Sequence, residues 1–367
     1  MGALGADDPA HDRDGHRPAR AEEQSMRVLV IGGGRNSEHE VSLASAAAVS
    51  EALRAVDHDV RTATIGRDGV WDAAPDASPA ESLAAAMPLL AWADVVFPAV
   101  HGALGEDGAL AALCALADVP VVGSGPRAGA IGMDKHATKL VARDAGIATA
   151  PGFVISSSAI GDVEFEAPVV VKPVSAGSSY GVSLVREPGE LLDALRTAAR
   201  FDDLILIEEV MRGREIDVAV IREAGGVRWA APPLEIHAAG LFDTAMKYDG
   251  SARFTVPAAL TAAETGMLSR AAVSMFDALG CAGVARMDFF LTDAGPVLNE
   301  VNTMPGLTAA SQAPRMFAAA GVSYPELMDR LVRAAVSTTG ELWSSSGRVP
   351  ASETRRGARA HAAGARR

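Results

Sequence analysis

Between residues 26 and 125 the apolar positions alternate between two rhythms. Short continuous runs at 27–31, 61–64, 95–98 and 120–122 are separated by segments at 41–55, 79–87 and 108–117 whose apolar residues recur at helical spacing. Runs of this length, rich in β-branched residues, read as buried strands, and the segments between them as helices. Ser78 stands where an N-cap belongs, with Pro79 at the first helical position. The alternation predicts a doubly wound, parallel α/β domain over 26–125. Over 126–213 a helical pair (128–145) precedes a sheet containing a strand that ends at Lys172 and another at 204–208. Over 214–340 strands come first (215–221, 228–231). A helix (262–279), a strand pair (285–290, 297–301) and closing helices follow. These are two mixed α+β lobes, able to clamp a ligand between them.

Composition narrows the picture at its edges. A chain of 367 residues divides into two or three domains with ample core. Residues 1–25 are polar, rich in Asp, Arg and His, and lack the apolar stretch of a secretory signal; they read as a disordered extension. Residues 344–367, Ser-rich and then rich in Arg, Ala and Gly, read as a disordered tail. A net charge of −13 argues against a nucleic-acid partner, and no apolar run is long enough to span a membrane. The two cysteines, Cys114 and Cys281, sit in apolar contexts and fit a reducing cytoplasm.

Of 33 basic residues only four are lysine: Lys135, Lys139, Lys172 and Lys247. In a chain that otherwise uses arginine, lysine persists where a compact ammonium is needed and a planar fork does not fit. Lys172 ends the run Val169-Val170-Val171 and is followed by a Gly/Ser loop, 175–181, and a second apolar run at 182–185. Backbone N–H groups and hydroxyls of such a hairpin loop can cradle phosphate oxygens, although an ordinary Gly-rich hairpin has the same appearance. Further on, Arg286-Met287-Asp288 and Asn299-Glu300-Val301-Asn302 read as antiparallel neighbours joined by a turn at 292–295. Period two puts Arg286 with Asp288 and Glu300 with Asn302. Two carboxylates and an amide oxygen, without His or Cys, suit a hard cation such as Mg²⁺ bridging nucleotide phosphates. Asparagine occurs only at 36, 299 and 302, which adds weight to a required role there.

Together these segments resemble the ATP-grasp ligases and, within them, the D-alanine–D-alanine ligase family. The resemblance is carried in order by 33–42 (GGRNSEHEVS), 101–108 (HGALGEDG), 133–135 (MDK), the 172–182 loop, 246–248 (MKY), 285–288 (ARMD) and 299–308 (NEVNTMPGLT). It spans nearly all of the ordered chain. It implies an N-terminal substrate domain of the pre-ATP-grasp type followed by a two-lobed ATP-grasp fold. The implied reaction phosphorylates the carboxylate of one D-alanine with ATP; the amine of a second D-alanine then attacks the acyl phosphate.

Residue roles follow from the same resemblance. Lys135 and Lys172 are expected on the ATP phosphates, and Lys247 on the γ-phosphate. Glu208, Glu209, Val210 and Met211 are expected to form the hinge that meets adenine, with Glu215 on the ribose. Asp288, Glu300 and Asn302 are the expected ligands of Mg²⁺ or Mn²⁺, two ions in all. Arg286 and the Gly306 N–H are expected to stabilise the oxyanion of the tetrahedral intermediate. Glu40 is expected to pair with the first substrate's ammonium, tied to Ser178 and Tyr248, with His101 lining that pocket. By local sequence alone Glu40 also reads as the partner of Ser37 in a helix capping box. Ser311 and the following N–H are expected to seat the second substrate's carboxylate. A homodimer without nucleic-acid or membrane partners is implied. Ala176 departs from the family, where an acidic residue is common. The intact Lys247-Tyr248 pair disfavours D-lactate as second substrate; D-serine stays open, as does a non-catalytic ATP-binding protein.

Overall fold

The computed structural model of the protein describes residues 25–237 and 253–345. Expectations for Lys247, Tyr248 and most of both terminal tails lie outside the described residues.

Strand β1 (Arg27–Gly33) is the middle of a parallel sheet, between β2 (Asp59–Ile65) and β3 (Val95–Pro98). Its alternate residues serve different cores. Val28 and Val30 pack with α1 (His39–Arg54), while Leu29 and Ile31 pack with α2 (Pro79–Trp92) and α3 (Ala109–Leu116). A parallel strand covered on both faces reads as a continuous apolar run for this reason. Ser78 caps α2 in a reciprocal capping box with Glu81. The helix continues through Pro88, beyond the end expected at 87, because Ala86 and Leu90 lie on one buried stripe. The strand expected at 120–122 contracts to a single bridge between Val121 and Val96, and Gly123, at φ 100°, turns the chain away.

Beyond residue 125 the packing does not follow the boundary expected at 213. Helices α4 (Pro126–Met133) and α5 (Lys135–Asp144) share a core with α7 (Ala262–Leu279), β9 (Arg214–Arg222), β13 (Val284–Thr292) and β14 (Gly295–Asn302). Buried Ala128 and Ala142 let the helices approach that sheet closely. Strand β4 (Ala148–Thr149) even pairs in parallel with β14. The sheet order is β12-β11-β9-β13-β14-β4, with β10 (Arg228–Ala230) on β9, and with β11 (Leu234–His237) and β12 (Arg253–Thr255) at one edge.

Residues 152–209 form a separate antiparallel sheet, β5 (Gly152–Ser156), β8 (Leu204–Glu209), β6 (Val169–Pro173) and β7 (Ser183–Val185) in that order. Helix α6 (Pro188–Ala198) covers one face through Leu191, Ala194 and Leu195. The chain ends in α8 (Gln312–Ala319) and α9 (Tyr324–Ser345), whose Phe317, Leu327 and Leu331 pack with Val28 and Val30 of the first sheet. Between the two later sheets lies a cavity of about 260 Å³.

Candidate active site

The alternation along β9 sets the floor of this cavity. Ile216, Val218 and Val220 point into the core beneath, so Asp217 points into the cleft. On β13, buried Ala285 and Met287 likewise leave Arg286 and Asp288 on the cleft side. Pairing places Arg286 beside Asn302 and Asp288 beside Glu300. The register then shifts, so that Phe289 pairs with Leu298 and Asn299 is the extra residue of a β-bulge. The bulge brings Asn299 and Glu300, consecutive in sequence, to the same cleft.

Arg286 knits this floor together. Its Nε and Nη2 donate to Asp288 at 2.7 and 2.8 Å, and Nη1 donates to Gln312 Oε1 at 2.7 Å. Burial disfavours the guanidinium charge, but Asp288 and Asp217 outweigh it and raise the pKa further. Asn302 Nδ2 donates to Asp288 at 3.0 Å. Among the described residues no cluster of three or more His, Cys, Asp or Glu could hold a metal ion. Asp288, Glu300 and Asn302, the residues expected to hold a cation, are two carboxylates and an amide, all able to offer oxygen. That donor set fits Mg²⁺ better than a transition metal.

The other wall comes from the hairpin and α5. Lys135, Lys172, Glu208, Glu209, Val210, Met211 and Glu215, the residues expected to meet nucleotide, all line the cavity. Lys135 Nζ donates to the Ala176 carbonyl at 2.5 Å, which ties the hairpin loop to α5. The Glu208 carboxylate, only 3% exposed, does not face the opening. It lies between two ammonium groups, with Lys172 at 2.5 Å and Lys139 at 2.7 Å. Burial alone would raise its pKa; the two lysines hold it below the usual carboxylate range. Burial, reinforced by the Lys172 charge, pushes Lys139 down to about 8 despite its contact with Glu208. Lys172 also donates to Asn299 Oδ1 at 3.2 Å.

A smaller pocket adjoins the cavity and shares Lys135, Ala176 and Glu300 with it; Glu106, Ser178 and Asn302 also line it. Here the structure corrects the sequence reading. Glu40 is not in the pocket: its side chain is 73% exposed and bonds Arg67 at the surface. The capping box with Ser37 does not form either, because the N-cap of α1 is Glu38, without a side-chain cap. Glu38 is the buried carboxylate, and it accepts a hydrogen bond from Ser178. A side chain at Gly102 or Gly177 would overlap it. Asn36 fixes this turn. Its Nδ2 donates to the His101 and Ala103 carbonyls at 2.9 and 2.8 Å, and its Oδ1 accepts from the Glu38 N–H at 2.8 Å. A signal for Glu38 was present in the sequence, since Glu38, Ser42, Ser45 and Val49 form one helical stripe that faces inward, and Glu40 falls off it.

His101 lies behind Glu38, buried, with Nε2 2.8 Å from Ser45 Oγ and Nδ1 3.1 Å from the Met304 carbonyl. Burial works against its charge. The Glu106 carboxylate, 3.6 Å away, together with Glu38, outweighs that and raises its pKa. Ser178 and Ser179 hold left-handed backbone at φ 47° and 59°, an unfavourable conformation for residues with a side chain. Ser311 precedes α8 and bonds Thr308, and a Cβ on Gly306 would press against its hydroxyl. Arg286 reaches the first residue of the same helix, Gln312, so the oxyanion and second-substrate candidates converge on one helix start. Sequence reasoning did not assign Glu38, Glu106, Asn36, Lys139 or Asp217.

Two family profiles match this chain: D-ala D-ala ligase N-terminus over residues 27–124 and D-ala D-ala ligase C-terminus over 148–333. A D-alanine–D-alanine ligase of Streptomyces coelicolor is 39% identical, over 84% of this chain and 93% of its own. Among solved structures, the VanG D-Ala:D-Ser ligase of Enterococcus faecalis superposes with a TM-score of 0.70 at 31% identity, covering 84% of this chain and 99% of that one. The D-alanine–D-alanine ligase of Bacillus anthracis, complexed with ATP, gives 0.71 at 28% identity, covering 87% and 100%. With both halves of the family matched in order across this fold, the chain belongs to the D-alanine–D-alanine ligase family.

Proposed function

We infer that the protein is an ATP-dependent ligase that joins two D-alanines into D-alanyl-D-alanine for peptidoglycan synthesis. One observation carries the reading: a cleft with lysines on one wall and oxygen donors on its floor adjoins a pocket whose Ser178 donates to a buried carboxylate, Glu38. The first suits a nucleotide triphosphate and its cation. The second suits the ammonium of an amino acid.

A carboxylate is a poor acyl donor. Its oxygen attacks the γ-phosphorus, ADP leaves, and the acyl phosphate formed is a good one. The amine of the second D-alanine attacks the carbonyl carbon, and phosphate departs. Lys135 and Lys172 offset phosphate charge, and Arg286 with the Gly306 N–H stabilises the tetrahedral oxyanion. Glu38, in place of Glu40, orients the first ammonium through the Ser178 bond, and Ser311 receives the second carboxylate. Lys247 on the γ-phosphate and Tyr248 on Ser178 complete the proposed site. The family uses ATP and a divalent metal; here the proposed ligands are Asp288, Glu300 and Asn302, holding two Mg²⁺ or Mn²⁺ ions. When bound, the cation neutralises phosphate charge that the lysines leave over. We propose a homodimer in the cytoplasm; no helix of the described residues is long and apolar enough to cross a membrane.

D-serine as second substrate is the one competing reading with an observation behind it. The D-Ala:D-Ser ligase matches this chain as well as the Bacillus anthracis enzyme does. An ADP-release assay with D-alanine, D-serine and D-lactate as second substrate separates these. The expected order is D-alanine first and D-lactate negligible. Release that needs neither amino acid would defeat the ligase reading, and preferential D-serine use would replace it with the second.

A further inference from the structure

Lys139 is the rare lysine for which the ligase reading has no use. It sits one turn after Lys135 on α5, on the same helix face, yet the two end in different places. Lys135 lines the nucleotide cleft; Lys139 lies behind it, its side chain 3% exposed, with Glu208 between it and Lys172. Its contact with Glu208 is close at 2.7 Å, but neither Lys139 Nζ nor Glu208 Oε1 has a well-directed hydrogen bond. A buried ammonium in so imperfect a setting is costly for packing alone, and such exceptions ask for a functional reason.

The charges supply one. Lys172 is the forward member of the trio, lining the cleft and bonded to Glu208 Oε2 and Asn299 Oδ1. Were Lys172 the sole partner of Glu208, turning towards a phosphate would strand a buried carboxylate. A second ammonium on Oε1 removes that obstacle and gives the trio a net charge of +1, which a polyphosphate can take up. We propose that Lys139 is a positioning residue, which holds the Glu208 carboxylate so that Lys172 is free to engage the nucleotide phosphates. This rests on the nucleotide reading of the cleft.

The test is a double-mutant cycle on the full chain, read as the dissociation constant of Mg·ATP by calorimetry and as the KM values for ATP and D-alanine. Lys139→Met should weaken ATP binding by at least about tenfold while the D-alanine KM moves less than about twofold. Adding Glu208→Gln removes the carboxylate that needs holding, so Lys139→Met/Glu208→Gln should bind ATP within about threefold of Glu208→Gln alone. Unchanged ATP affinity in Lys139→Met overturns the proposal. So does a further tenfold or greater loss on adding Lys139→Met to Glu208→Gln, which would make Lys139 a direct phosphate ligand or a general structural support. Should Lys139→Met alone not fold, the comparison within the Glu208→Gln background decides. If the unmodified protein does not bind Mg·ATP, the nucleotide reading itself falls; if it does, only the role of Lys139 is at stake.

Discussion

Two glutamates, two residues apart, end in opposite environments. Glu38 is buried beside Ser178, and Glu40 is exposed beside Arg67. If Glu38 holds the first ammonium, Glu38→Gln should raise the KM of the first D-alanine by at least about tenfold, as expected when one partner of a buried charge-assisted bond is lost. Glu40→Gln should stay within about twofold, in line with an exposed ion pair. Steady-state kinetics with both variants checks this, and the reverse result would return the role to Glu40. At the cation site, Glu300→Gln should lose most activity while keeping its far-UV spectrum and melting temperature, and excess EDTA should stop turnover of the unmodified protein. Full activity in EDTA would remove the metal from the account. The sequence made the residue types at the cleft legible, because lysine and asparagine are scarce and the acids at 288 and 300 interrupt apolar strands. It did not separate Glu38 from Glu40, since both lie in one motif and only the inward stripe of α1 distinguishes them.

At the scale of elements, the hairpin around Lys172, the paired strands β13 and β14 and the long helix α7 were readable because each is a local pattern with its own turn or cap. The bulge at Asn299 was not, because it depends on the register between two strands rather than on either strand's sequence. The allegiance of α4 and α5 was hidden for a similar reason: their apolar stripe shows that they pack, not against which sheet. Strand β9 carries Glu215 and Asp217 into the cleft, and its start is clamped to β11 by Arg214, which donates to both oxygens of Glu235 at 2.8 and 2.6 Å. That hydrogen bond holds the Glu235 carboxyl below its ordinary range. A carboxylate with a depressed folded-state pKa adds stability above its unfolded pKa, and the contribution is lost as pH falls through the folded value. Arg214→Met should therefore lower the melting temperature at pH 7. The deficit should begin to shrink below about pH 4, as unfolded Glu235 protonates, and vanish only once pH has passed through its lowered folded-state value. The Arg214 side chain is 37% exposed, so the effect should be small, about 1 kcal/mol or less. A deficit that grows in acid would contradict the assignment.

Across the whole molecule, the first and last segments share one core, in which Val28, Val30 and Val49 meet Phe317, Leu327 and Leu331. Glu38, at the start of α1, is thereby held near the cleft built on β9, β13 and β14. His58 adds a polar tie at the same seam: its Nδ1 accepts from the Met26 N–H at 3.1 Å, and its Nε2–H donates to Asp329 of α9 at 2.8 Å. Such contacts join positions hundreds of residues apart, which periodicity along the chain does not report. They matter because the proposed chemistry needs a carboxylate delivered from one half of the molecule to a phosphate held by the other. The most direct measurement follows that oxygen. With D-alanine carrying ¹⁸O in both carboxylate positions, and with unlabelled ATP, each turnover should release ADP, D-alanyl-D-alanine and inorganic phosphate bearing one ¹⁸O atom, detected by mass spectrometry. Unlabelled phosphate, or label appearing in AMP, would contradict activation of the substrate carboxylate by γ-phosphoryl transfer.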